Sequence, residues 1–112
     1  MRLKRGVTLQ GVQWPIKKAI AHADRIWRQL GRTLVVTSTT HGSDPNCALH
    51  TFGFAVDFRS FYFGKLNKEQ AARLLQKALG NDYKVMVMPT HIHCEYDEAS
   101  TLSRRQFSAP KT

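Results

Sequence analysis

A chain of 112 residues with 42% hydrophobic content is long enough for one modest core and too short for two. No apolar run approaches the roughly 20 residues of a membrane span, and nothing in the composition is collagenous, repetitive or of low complexity. The formal net charge of +9, from 17 Lys and Arg against 8 Asp and Glu, favours an acidic partner such as nucleic acid or an anionic cell wall, and equally suits a solvated, soluble surface.

The opening Met1-Arg2-Leu3-Lys4-Arg5-Gly6 has the charge of a signal peptide without the apolar region that should follow. The expectation is therefore synthesis as a soluble cytoplasmic product, with any action at a cell wall depending on another route. Basic residues concentrate early: Arg2, Lys4, Arg5, Lys17, Lys18, Arg25, Arg28 and Arg32 stand against Asp24 alone.

The first element is a helix from Pro15 to about Leu30. Ile16, Ala19, Ile20, Ala23, Ile26, Trp27 and Leu30 recur at helical spacing as one apolar stripe. Pro15 suits a helix start and Gly31 a stop. A short β-branched strand, Thr33 to Ser38, follows, and then a loop with dense turn chemistry, His41 to Asn46. Phe54 to Arg59 alternates strictly, with Phe54, Val56 and Phe58 on one face and Ala55, Asp57 and Arg59 on the other.

A second helix is predicted from Asn67 to Leu79. Asn67 serves as its cap, Leu66 as a hydrophobic staple, and Ala71, Leu74, Leu75, Ala78 and Leu79 form its buried face. Tyr83 to Met88 is apolar on both faces, which predicts a central strand. Pro89-Thr90 turns the chain into a last strand, His91 to Tyr96, and the short connection predicts an antiparallel hairpin. The fold class is α+β: a small antiparallel sheet with two helices packed against it. Residues 1–102 form a single domain in this reading, and 103–112 have the composition of a C-terminal tail.

Chemistry concentrates on two strands. Alternation places His91, His93 and Glu95 on one face of the last strand, opposite Ile92, Cys94 and Tyr96. A His-x-His pair alone is weak evidence, since a solvated strand face can carry one. Asp57 is the stronger signal: a carboxylate between Val56 and Phe58 is costly to bury unless it is paired or bound to a metal. An ion pair with Arg59, two residues on and on the same face, is the alternative account of it. His50 lies just upstream, with Gly53 allowing a tight turn and Ala55 leaving room beside Asp57. His50, Asp57 and His93 make the three-ligand set of a catalytic zinc site, with the fourth position left to water. His91 sits too close to His93 to share the same ion easily and is better placed beside that water. Cys47 and Cys94 form no disulfide framework, and with no CxxC a cysteine-rich zinc knuckle is excluded.

The stretch Leu49 to Arg59 resembles the first zinc motif of the zinc D-Ala-D-Ala carboxypeptidases. That family includes the peptidoglycan L-Ala-D-Glu endopeptidases of phage lysins and shares its fold with the Hedgehog signalling domain. Its pattern is a His and an Asp separated by six residues, then a later His-x-His. His50, Asp57 and His91-Ile92-His93 match it, and Val35 to Ser38 looks like the strand that precedes the motif. The resemblance covers roughly residues 33–97. It implies zinc held by His50, Asp57 and His93, and water attacking a peptide carbonyl next to a D-amino acid in a peptidoglycan stem peptide.

Two positions depart from the family pattern. Many members carry an acidic base three residues before the last zinc ligand, where this chain has Thr90, so the base falls to His91, with Glu95 second. Many also place a substrate-binding arginine after the Thr-Ser strand end, where this chain has Thr39, Thr40 and His41. His41, Ser38 and Arg59 are the candidate substrate contacts. The rival readings are a basic nucleic-acid-binding protein or metal-dependent nuclease, and a non-catalytic zinc-binding virion protein.

Overall fold

A computed structural model describes residues 1–40, 50 and 52–96; His41, Cys47 and the 103–112 tail lie outside the described residues. The elements run β1 (Arg2–Leu3), α1 (Trp14–Gln29), β2 (Val35–Ser38), β3 (Ala55–Arg59), α2 (Lys65–Leu79), β4 (Tyr83–Val87) and β5 (His91–Tyr96). The fold is α+β, with one five-stranded sheet in the order β1-β2-β3-β5-β4. Its pairings are antiparallel except for β1, which joins β2 in parallel.

Helix α1 follows from its stripe. Pro15, Ile16, Ala19, Ile20, Ala23, Ile26 and Trp27 are all buried, and Gly31 breaks the helix at φ +80°, a left-handed conformation that costs glycine little. The stripe meets the inner face of the sheet, where Val36, Val56, Phe58, Ile92 and Cys94 join the same core cluster. Trp27 is fully buried, sits 5.6 Å from the Phe58 ring and 5.7 Å from Phe63, and donates from Nε1 to the Arg59 carbonyl at 3.0 Å. Trp27→Ala should cost roughly 3–5 kcal/mol of stability. Trp27→Phe should cost less, because it strands the Arg59 carbonyl but leaves most of the apolar volume filled. Urea midpoints at unchanged m-value would check both.

Several predicted details change. The strand that is apolar on both faces, β4, lies at the sheet edge and not at its centre. Helix α2 makes this possible: Gln76 Nε2 donates to the Tyr83 carbonyl at 2.7 Å, and Gln76 Oε1 accepts from the Val85 amide at 3.0 Å. One side chain thus takes up the unpaired main-chain groups of an edge strand. The polar-faced β5 occupies the interior position instead, because its polar side chains belong to a site. Helix α2 starts at Lys65 with Gly64 as N-cap and has no side-chain cap, so Asn67 sits inside the first turn. Leu66 is 80% exposed and staples nothing. The buried face is Ala71, Ala72, Leu75 and Leu79, while Leu74 and Ala78 are exposed. Docking on both α1 and β4 rotates the contact face toward Ala72.

Candidate metal centre

The β3–β5 register sets the site. Ala55 stands opposite Glu95, Asp57 opposite His93, and Arg59 opposite His91. These pairs project from one face of the sheet, while Val56, Phe58, Ile92 and Cys94 enter the core on the other. Alternation along two neighbouring strands therefore gathers the polar groups without placing any of them in the apolar interior.

Strand β2 contributes through an irregularity. Val36 pairs with Phe58, but Ser38 pairs with Asp57, one residue out of step. The extra residue is a β-bulge, and it turns Ser38 from the core face to the face of Asp57. Regular alternation would have kept Val36 and Ser38 on the same side.

Asp57 is the hub. Its Oδ1 lies 2.8 Å from His93 Nδ1 and 3.4 Å from His50 Nε2, and its Oδ2 lies 3.8 Å from His91 Nε2. His50, Asp57 and His93 each offer a ligand atom within 4.8 Å of the others, so this buried trio can hold a metal ion. The ion-pair alternative for Asp57 does not form: the Arg59 guanidinium instead lies over the Phe61 ring, 5.2 Å from its centroid.

Supporting contacts fix the ligand orientations. His50 is 3% exposed, and its Nδ1 donates to the Thr39 carbonyl at 2.7 Å. That bond leaves the lone pair on Nε2, the nitrogen facing Asp57. His93 turns Nδ1 toward Asp57 and Nε2 toward Glu95 Oε1, 3.7 Å away. Glu95 thus stands on the far side of the His93 imidazole, within ion-pair range and beyond hydrogen-bond length. His91 is less buried, with its side chain 30% exposed, and its Nδ1 lies 3.3 Å from Thr90 Oγ1.

Electrostatics match a cation site. Burial alone would raise the Asp57 carboxyl, but hydrogen bonds from His50 and His93 outweigh it and hold the group well below the usual carboxylate range. Burial likewise opposes the charged form of His50, yet the Asp57 hydrogen bond and charge win, and its pKa is raised above 6.5. Asp57 is thus held as the anion and His50 favours its proton, which a divalent cation would displace, since metal ligands bind deprotonated. Because the His50 proton leaves only above the ordinary histidine value, metal affinity should already be falling as pH drops toward 6.5. Competition titrations between pH 8 and 5 would read this, and an affinity flat down through 6.5 would contradict it. In the metal-free protein the His50 contribution to stability is full below 6.5 and fades as pH rises through its raised value. That of Asp57 is full above the ordinary carboxylate value and is lost only in strong acid.

Cys94 is buried on the core face with its thiol pushed up to about 12 by burial, so it stays protonated and plays no part as a ligand. Two contributors left no trace in the sequence: Thr39, which acts through its main-chain carbonyl, and Lys4. Strand β1 brings Lys4 to a cavity of about 310 Å³ that also borders Ser38, Asp57, Arg59 and His91. Two residues paired in parallel are too short a strand for any periodicity to reveal. No family model, curated protein or solved structure matches the chain.

Proposed function

We propose that the chain is a zinc-dependent peptidase that hydrolyses a peptide bond in peptidoglycan stem peptides. The observation that carries this reading is the buried His50–Asp57–His93 trio, whose Asp57 lines a cavity also bordered by His91. Three nitrogen and oxygen ligands with one side left open are the arrangement of catalytic zinc, whereas structural zinc is closed by a fourth ligand, most often cysteine. Among the described residues the single cysteine, Cys94, faces away into the core.

Zinc held by the trio would polarise the carbonyl and ease the loss of a proton from the attacking water. The protein's own groups do the rest. His50 is held in one tautomer and orientation by the Thr39 carbonyl, and His93 lies between Asp57 and Glu95. His91, partly exposed and beside Asp57 Oδ2, is placed to take the water's proton and return it to the leaving amine. Glu95, engaged behind His93, is the poorer candidate for that role. The resemblance of His50, Asp57 and His91-Ile92-His93 to the peptidase motifs supplies the substrate class.

The basic charge fits this reading better than the nuclease one. Lys17, Lys18, Arg25 and Arg28 are exposed on α1, and α1 covers the sheet face opposite the metal centre. A phosphate backbone held by that helix would lie away from the trio, whereas attraction of the whole protein to an anionic wall needs no such alignment. No described helix is long and apolar enough to cross a membrane.

The test is elemental analysis of the purified protein combined with digestion of peptidoglycan and product masses. Zinc at one ion per chain and a defined peptide cut are expected. His91→Ala should keep the zinc and slow cleavage by about 10²–10⁴-fold, the usual worth of a positioned base. Zinc without cleavage of any wall fragment would leave a binding-only protein, and stoichiometric iron in its place would redirect the chemistry to oxygen.

A further inference from the structure

Asp57 and His93 are carried on paired strands, but His50 lies outside both β3 and β5, so its place depends on contacts from elsewhere in the chain. Two such contacts hold it. Its Nδ1 donates to the Thr39 carbonyl at 2.7 Å, and its main-chain carbonyl accepts from the Gly53 amide at 3.0 Å. Both lead to one irregular stretch, residues 7–13, between β1 and α1.

The first route runs through a side chain. Thr39 stands one residue past the end of β2 and is 2% exposed. Its hydroxyl donates to the Thr8 carbonyl at 2.6 Å, so the residue whose carbonyl receives the His50 proton is itself anchored by its own Oγ1. Thr8 is held in turn: its Oγ1 accepts from the Gln10 amide at 3.1 Å. Val12, a core residue, donates from its amide to the Leu9 carbonyl at 3.1 Å. The second route ends on the same stretch, because the Gly53 carbonyl accepts from the Gln13 amide at 3.0 Å. The imidazole and the main chain of one member of the trio are thus referred to a single support. Thr39 occupies the stretch where the resembling family places its arginine, yet its side chain is buried and turned to the 7–13 segment, so it serves the trio and not a substrate.

We infer that Thr39 is a positioning residue for His50. Its hydroxyl, tied to Thr8, fixes the carbonyl that takes the Nδ1 proton, and the imidazole is thereby kept with the Nε2 lone pair toward Asp57. The 7–13 stretch then sets the geometry of the metal centre from outside it. The effect on metal affinity rests on the trio binding a metal, as read above, whereas the hold on His50 does not, and neither depends on the substrate or the reaction.

The experiment reads two quantities: zinc affinity, by competition with a chromophoric chelator, and solvent exchange of the His50 Nδ1 proton, by NMR on chelator-stripped protein. Thr39→Val keeps the shape of the side chain and removes its donor. Zinc affinity should fall about 10–100-fold, the usual loss when a group that supports a ligand is removed, and the Nδ1 proton should exchange faster. Thr39→Ser restores the hydroxyl and should recover most of both. Trp27→Phe loosens the core through Phe58 and Phe63, away from the trio, and should leave both at wild-type values, which separates positioning from general destabilisation. Should Thr39→Val not fold, Thr8→Ala serves in its place: it leaves Thr39 intact, loosens the carbonyl that Thr39 binds, and should move both readouts the same way by a smaller factor. Unchanged affinity and exchange in these variants, a loss in Thr39→Val no greater than in Trp27→Phe, or no recovery in Thr39→Ser would overturn the inference. Wild-type protein that takes up no zinc, with Nδ1 protection still lost in Thr39→Val, would overturn the metal reading and leave Thr39 as the support of His50.

Discussion

Asp57→Ala is expected to yield a folded protein that purifies without stoichiometric metal and gains no thermal stability when zinc is added. In the proposed site Asp57 would supply one ligand directly, and it contacts the other two through Oδ1, at 2.8 Å to His93 and 3.4 Å to His50. Losing a group that merely supports a ligand costs about 10–100-fold in metal affinity, so the loss here should be larger. The wild type should respond to zinc by mass action: ligand at 1,000 times Kd contributes about 4 kcal/mol, on the order of 15 °C or more in Tm for a domain near 100 residues. The variant should show none of that shift. Its metal-free stability should also fall, by about 1–3 kcal/mol for each buried group left unpaired, because His50 and His93 lose their shared acceptor. Asp57→Asn separates the two effects, since the amide oxygen can still accept from one imidazole while the charge that attracts the cation is gone. Calorimetric scans with and without zinc read both variants. A zinc-dependent rise in Tm in Asp57→Ala equal to that of the wild type would place the metal elsewhere.

The parts of this protein that were legible in advance are those in which one periodicity decides both burial and chemistry. Period-two alternation set Asp57 and His93 each on the polar face of its own strand, ligand chemistry joined them, and the β3–β5 register puts them directly opposite each other. The α1 stripe was equally plain because a single face meets a single core. Legibility failed wherever a non-local contact overrode the local pattern. Tyr83 to Val87 reads as an interior strand, but Gln76 from α2 satisfies its edge, and nothing near β4 in the sequence announces that. Ser38 changed faces through a bulge that strict alternation cannot contain. Lys4 reached the cavity through a two-residue parallel pairing whose partner lies more than thirty positions away, Arg2 with Val35 and Leu3 with Val36. The trio that could hold a metal was therefore readable, because ligand chemistry restricts residue types. The lining of the neighbouring cavity was not, because common residues such as Lys and Ser carry no such signature until the fold brings them together.

Gly53→Ala should be about as damaging as truncating the core, although it touches no ligand. Gly53 has φ +82°, a region in which a side chain costs about 1–2 kcal/mol, and that strain is the smaller part. A methyl group there would fall 2.1 Å from the Gly11 carbonyl oxygen and 3.1 Å from the Gln13 amide nitrogen. Both are main-chain atoms of the segment leading into α1, so neither can swing aside as a side chain would. Gly53 also ties that segment to the metal centre: its amide donates to the His50 carbonyl at 3.0 Å, and its own carbonyl accepts from the Gln13 amide at 3.0 Å. Forcing the backbones apart must therefore move His50 relative to Thr39 and Asp57, and must loosen the start of α1. A destabilisation on the order of 3–5 kcal/mol is expected, within the tail reserved for backbone clashes and strain, together with weakened metal binding. Gly6→Ala is the matched control, because Gly6 has φ +87° with nothing within 4 Å of an added methyl group, so it should show the conformational cost alone. Excess zinc should recover part of the stability of Gly53→Ala, since its three ligands are intact, and none of that of Asp57→Ala. Urea midpoints for the three variants, each with and without zinc, distinguish a clash that displaces a ligand from the loss of the ligand itself; equal stability of Gly53→Ala and Gly6→Ala would show that the Gly11–Gly53 approach is not as close as the structure has it.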